Sequence, residues 1–319
     1  MYSGISGLRN FQTKLDVIGN NISNVNTHGF KKGRVVFKDL ISQTQSGASG
    51  PTVASGGMNA KQVGLGSQLA AIDTIHGTGA LQTTARTLDV AMEGEGFFVV
   101  GKYNADQTEG VVTSFEEVKY TRAGNFYLDK DGVLVNSNGD FVIGYGSPNA
   151  DVAANEDNPV EGELEHLAST DEDGNDVDLE TFDIEGGLIG QVTTAGKIRI
   201  PTNAQSMSIS ADGKVTYVNA AGQNMFAGQL VVAKFANAEG LTKQGSNNYL
   251  DSANSGAPEF GVGNALGVGK TVSGALEMSN VDLSEEFTEM IVAQRGFQAT
   301  SRIITTSDEI LQELVNLKR

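Results

Sequence analysis

Three histidines, no cysteine and a dense run of acids are the features of this 319-residue chain that invite a chemical reading. His28, His76 and His166 fall in three separate segments and make no paired-histidine metal motif. The lack of cysteine removes disulfides, zinc–thiolate sites and thiol nucleophiles. Asp171, Asp173 and Asn175 are spaced like the first ligands of an EF-hand calcium loop. The motif then breaks: the sixth position is Asp176 where glycine is needed, and the twelfth is Phe182 where glutamate is needed. Gly64-Leu65-Gly66 lacks the third glycine of a dinucleotide site and reads as a loop. Glu116 and Glu117 are adjacent, so on a strand they point to opposite faces and are solvated. There is no Walker loop and no Gly-x-Ser-x-Gly elbow. The expectation is a chain that is not an enzyme, with no catalytic residues, no metal site and no cofactor.

What must be positioned, then, is apolar surface. From Asp282 onward, Leu283, Met290, Phe297, Ile304 and Leu311 recur at seven residues. The residues three further on, Glu286, Ala293, Thr300, Ser307 and Leu314, are mostly small or polar. A period near 3.5 with one bulky seam predicts a helix that packs along another helix. Asp282 with Glu285 fits a capping-box start, and Lys318 and Arg319 suit the negative end of the helix dipole. Gly296 inside the run costs about 1 kcal/mol against alanine, which close backbone packing would explain. At the other end, Leu8, Leu15 and Ile22 recur at seven, as do Phe11, Ile18 and Val25. That predicts a second heptad helix over residues 5–25, with Gly29 as a helix stop. Neither helix has a second apolar face, so the simplest inference is that the termini pair and that neighbouring copies complete both seams.

Net charge is −17, which argues against nucleic acid or an anionic membrane as partner. No stretch of about 18 apolar residues exists, so no membrane insertion is expected. No basic region followed by an apolar block marks a secretory signal peptide. Residues 31–75 combine a basic patch (Lys31, Lys32, Arg34, Lys38) with a Gly/Ser-rich run from Ser46 to Gly57 and read as a linker with little core. Residues 76–147 and 187–280 read as one discontinuous β domain. Leu88, Val90 and Met92 alternate, Asp131-Gly132, Asn138-Gly139 and Asp212-Gly213 mark turns, and Gln229–Phe235 is a buried strand. Residues 148–186 form an acidic surface insertion: fourteen of the 39 acids lie in 151–185, and no Lys or Arg occurs from Asp131 to Gly196.

The run from Lys14 to Lys31, with Gly19-Asn20-Asn21-Ile22-Ser23-Asn24 at its centre, resembles the signature of bacterial flagellar rod and hook proteins. So do Ser279-Asn280-Val281-Asp282-Leu283, Gln294–Ala299 and Thr306–Leu311 at the other end, in their hook version, and the central Gly94–Phe98 and Tyr120–Phe126. The resemblance covers nearly the whole chain except residues 148–190. Members usually carry a few residues before Met-Tyr-Ser-Gly-Ile-Ser-Gly, so Met1 need not be the translation start.

The resemblance implies an α+β fold: terminal α-helices (1–30 and 281–319) in a coiled-coil-like core, with a discontinuous, mainly-β outer domain. It implies a hook subunit, polymerising into a flexible curved tube that passes motor torque to the filament. The alternatives are a distal rod subunit of the basal body and, from another class, a glycan-binding β-rich surface protein. The polymerisation residues would be Leu8, Phe11, Leu15, Ile18, Ile22, Val25, Leu283, Met290, Phe297, Ile304 and Leu311. Implied partners are further copies of the chain, the distal rod, hook-cap and hook–filament junction proteins, and the flagellar export apparatus. The implied location is outside the cell, reached without a cleaved signal. Phe37 and Ile41 resemble the Phe-x-x-x-hydrophobic element that engages the export gate; the plain reading of that spacing is one face of a short helix.

Overall fold

The computed structural model of the chain describes residues 2–51, 56–103, 115–146, 169–170, 176–177, 195–265 and 267–317. The fold is α+β, one helix near each end with strands between them. Two compact units are present: Met1–Gly79 with Met278–Arg319, and Ala80–Glu277.

Unit 1 is built on α1 (Tyr2–Ser23) and α2 (Leu283–Leu317), which run antiparallel. Asp282 caps α2, its Oδ1 accepting from the Ser284 and Glu285 amides at 2.8 and 3.4 Å. Helix α1 stops at Ser23, short of the predicted seam, and Val25 lies in the turns that follow. The cause is local. Ser23 Oγ and Asn24 Nδ2 bond back to the Gly19 and Asn20 carbonyls, and Asn-rich sequence offers the backbone partners other than a helix ladder. Past Gly29, at φ 71°, the chain forms β1 (Gly33–Asp39), β2 (Ser42–Ser46), β3 (Lys61–Gly64) and β4 (Ser67–Thr74). β1 pairs with β4 and β2 with β3, both antiparallel, and β2 and β3 are exposed throughout. Residues 31–75, read as a linker, thus hold two hairpin layers.

Unit 2 begins with β5 (Leu81–Thr83), β6 (Val90–Glu93), β7 (Phe97–Tyr103), β8 (Phe115–Thr121), β9 (Tyr127–Leu128), β10 (Leu134–Val135) and β11 (Phe141–Gly146). Two short pairing strands, β12 (Ser169–Thr170) and β13 (Asp176–Val177), follow. Next come β14 (Ala195–Lys197), β15 (Ser206–Ile209), β16 (Lys214–Val218) and β17 (Asn224–Lys234). The unit closes with β18 (Thr242–Gly245), β19 (Asn248–Leu250), β20 (Glu259–Val262), β21 (Lys270–Ser273) and β22 (Ala275–Glu277). The main antiparallel sheet has the order β15-β16-β17-β11-β7-β8-β19-β18. Strands before and after the acidic stretch meet in it, since β11 pairs with both β14 and β17.

The central strands of this sheet are buried on both faces. Side chains alternate along a strand, and on β7 Phe98 and Val100 enter one apolar cluster while Phe97 and Val99 enter the other. On β17, Leu230 and Val232 divide from Val231 and Ala233 in the same way. A strand apolar on both faces gives a continuous run rather than an alternation, which is how Gln229–Phe235 reads in the sequence. The Asp131-Gly132 turn joins β9 to β10, with Gly132 at φ 76° and a carbonyl of Ile200 lying where a Cβ would sit.

The Asp171, Asp173 and Asn175 calcium reading, and nearly all of the acidic insertion, lie outside the described residues. No helix among the described residues is long and apolar enough to cross a membrane.

Candidate assembly surface

The closest approach of α1 to α2 runs through small residues. A Cβ added at Gly296 would meet the Phe11 ring at 2.5 Å, so the ring fills the space that glycine leaves. Gly4 faces Ile304, and Gly7 faces Thr300. Ala293 is fully buried. The row of small and polar residues therefore carries the contact, flanked by half-buried Met290, Phe297 and Ile304. On α1, Leu8, Phe11, Leu15 and Ile22 are half-buried and Ile18 is buried; Val25, beyond the helix, is half-buried. The expected seam residues Leu283 and Leu311 are exposed.

Polar groups set the register. Buried Asn21 donates from Nδ2 to the Gly33 carbonyl at 2.9 Å and to Glu286 Oε2 at 3.2 Å, while its Oδ1 accepts from the Gly33 amide. Glu286 is itself buried. One turn along, Lys14 pairs with Glu289. Asn280 bonds through Nδ2 to the Ile75 carbonyl and through Oδ1 to the Lys32 amide, both at 2.8 Å. Fully buried Lys31 donates to the Gly77 carbonyl. A buried polar side chain stabilises only when bonded, and then it fixes one arrangement over others. Spacing does not single out Asn21, Lys31 or Asn280 for these contacts. The signal present was Glu286 in an otherwise small row opposite an Asn-rich helix end.

Helix α2 is longer than its partner. Thirty-five residues span about 52 Å and the 22 of α1 about 33 Å. Every residue from Asp308 to Leu317 is exposed. Ile303, Ile310 and Leu317, spaced by seven, are 59, 53 and 82% exposed, with Leu314 beside them at 57%. The expectation that neither helix has a second apolar face is corrected here: α2 carries one, and α1 does not cover it. A second apolar opening lies between α1 and the β1–β4 hairpin, an open groove of about 560 Å³ with Ile5, Leu40, Leu65 and Leu69 along it.

Phe37 and Ile41 are not on a helix. Phe37 is half-buried in β1, opposite Leu69 beside a register shift, and Ile41 is 86% exposed between β1 and β2. The short-helix reading of their spacing is therefore wrong, because residues 33–39 are held extended by the ladder to β4. Among the described residues no group of His, Cys, Asp or Glu is placed to hold a metal ion.

Three family descriptions match the chain in order. They are "Flagella basal body rod protein" over residues 1–31, "Flagellar hook protein FlgE/F/G D1 domain" over 91–217, and "Flagellar basal body rod FlgEFG protein C-terminal" over 272–317. The chain is 49% identical over 323 residues to the flagellar basal-body rod protein FlgG of Bacillus subtilis strain 168, covering 100% of this chain and 98% of that protein. It is 33% identical to the flagellar hook protein FlgE of Borreliella burgdorferi over an alignment of 450 residues, covering 100% and 99%. It is 33% identical to the FlgG rod protein of Agrobacterium fabrum over 308 residues, covering 96% and 94%. With matched segments at both helical ends and in the β unit between them, the chain belongs to the flagellar rod and hook axial protein family, whose members are structural parts of the flagellum.

Proposed function

We propose that this chain is a distal rod subunit, a segment of the flagellar axis that assembles from many copies of itself. The observation that carries this is the 49% identity to a rod protein across essentially the full length of both chains, against 33% to hook proteins. Length points the same way: the rod alignment spans 323 positions, whereas the hook alignment must open to 450. The hook reading rests on the hook version of the C-terminal motifs, Gln294–Ala299 among them, and it is the second reading. In a strain deleted for this chain, the rod reading predicts basal bodies that stop before the distal rod is complete. Complete rods that lack only the hook would favour the second reading.

The exposed Ile303, Ile310, Leu314 and Leu317 face of α2 is the proposed polymer contact, together with the paired seams of both helices. Helical contacts between unlike surfaces of identical subunits give open-ended growth. Other axial proteins and the export apparatus are the remaining proposed partners. The exposure of Ile41 beside half-buried Phe37 leaves that pair accessible for export recognition. Phe37→Ala is expected to lower secretion without loss of intracellular protein; unchanged secretion contradicts the assignment.

A further inference from the structure

The chain enters unit 2 through β5 and leaves it through β22, and these two strands pair with each other, Leu81 opposite Glu277 and Thr83 opposite Ala275. All three residues of β5 are exposed, and among the described residues β22 is its only strand partner. What holds β5 to the unit is therefore whatever holds β22. All three residues of β22 are buried, including Glu277 at 1% exposure. Its Oε2 lies 3.3 Å from Nη1 of Arg122, itself 2% exposed. The same guanidinium donates from Nη2 to the Gly94 carbonyl at 2.8 Å and lies over the Phe97 ring at 5.3 Å. Arg122 thus bridges the exit strand to the glycine turn and the first core position of β7. Burial draws the Arg122 pKa down and Glu277 opposes that fall.

Such a pair is costly to bury. Its attraction is offset by desolvation, so an apolar pair of similar volume would give equal or better overall stability. A gain in local fixation, not in global stability, is what the arrangement can supply. We propose that Arg122 and Glu277 form an anchor that fixes the β5–β22 pair, the place where the chain enters and leaves unit 2, to the β core. This holds whether the protein sits in rod or hook, and does not depend on either reading.

The test is amide hydrogen exchange on the full chain, comparing wild type, Glu277→Gln and the double variant Arg122→Met/Glu277→Met. The double variant removes both charges of the pair together. In it, the amides of Leu81–Thr83 and Ala275–Glu277 are expected to exchange roughly tenfold faster, while those of β7 and β17 stay within about twofold of wild type. Glu277→Gln should accelerate the same strands at least as much. Unchanged exchange in β5 and β22 of the double variant overturns the anchor. So does acceleration spread evenly over β5, β7, β17 and β22 in that variant, which would make the pair an ordinary contributor to core stability.

Discussion

Phe98 and Ile310 are both large and apolar, yet one is 0% and the other 53% exposed. The contrast extends to their surroundings. In unit 2 the central strands of the sheet have both faces covered by the chain itself, and Val90, Val100, Leu230 and Val232 are fully buried. In unit 1 the two helices cover one side of each other and leave Phe287, Ile291, Ile303, Ile310, Leu314 and Leu317 in solvent. Four of these, Ile303, Ile310, Leu314 and Leu317, share one face of α2, and a contiguous exposed apolar face of that kind marks an interaction site. The β unit buries its apolar clusters within the chain, whereas the helical unit leaves an apolar face of α2 exposed, the face proposed above as the polymer contact.

The difference is sharpest at high pH. Burial, with Asp251 adding to it, pushes the Tyr120 phenol up to about 12; burial also pushes Tyr249 up to about 12. Both rings stay protonated in the fold after the unfolded chain begins to lose its protons near pH 10. Their contribution is thus fully present below pH 10 and is lost as pH rises towards 12. Each should cost unit 2 about 1.4 kcal/mol per pH unit in that window. Alkaline unfolding of the β signal, with a phenolate absorbance step near pH 12, is the expected result. Full ionisation of both tyrosines near pH 10 in the folded protein contradicts it.

Core truncation comes next. Phe98→Ala removes a ring packed edge-on against Phe126 at 5.3 Å and should cost about 3–5 kcal/mol in urea unfolding of unit 2. A loss below 1 kcal/mol would show that this core is not tightly packed. Gly296→Val tests the helical pair. The added side chain meets the Phe11 ring, an overpacking cost of about 1–3 kcal/mol, offset in part by a helix-propensity gain of under 1 kcal/mol. A net loss of α1–α2 pairing is expected, read as earlier melting of the helical signal with the β signal unmoved. The smallest effect on the fold is expected at the exposed stripe. Ile310→Ser with Leu314→Ser should change subunit stability by less than about 0.5 kcal/mol while abolishing polymer formation.

Much of this division was legible in the sequence, and the failures have physical causes. Sevenfold spacing located both helices, and Gly296 marked the close approach that Phe11 fills. It also chose the wrong row for the tightest contact, because small residues let backbones come near while bulky ones flank them. The second stripe has the same period one residue earlier, Ile303, Ile310 and Leu317, and was masked by the first. Heptad counting carried α1 through Val25, but side-chain-to-backbone bonds from Ser23 and Asn24 end it sooner. Asn21, Lys31 and Asn280 have no periodic signature, and the heptad position of Glu286 does not name its partner, since these contacts join residues up to 265 positions apart. Turn glycines placed the β9–β10 and β15–β16 hairpins correctly, because that conformation is set locally.

The central claim is that the outer face of α2 is empty in the subunit and filled in the polymer. Oxidative side-chain footprinting of Ile303, Ile310, Leu314 and Leu317, in purified subunit and in assembled axial structure, tests it directly. The account predicts strong labelling in the subunit and protection on assembly, with Phe98 and Val232 protected in both. Equal labelling of the α2 residues in the two states would contradict it.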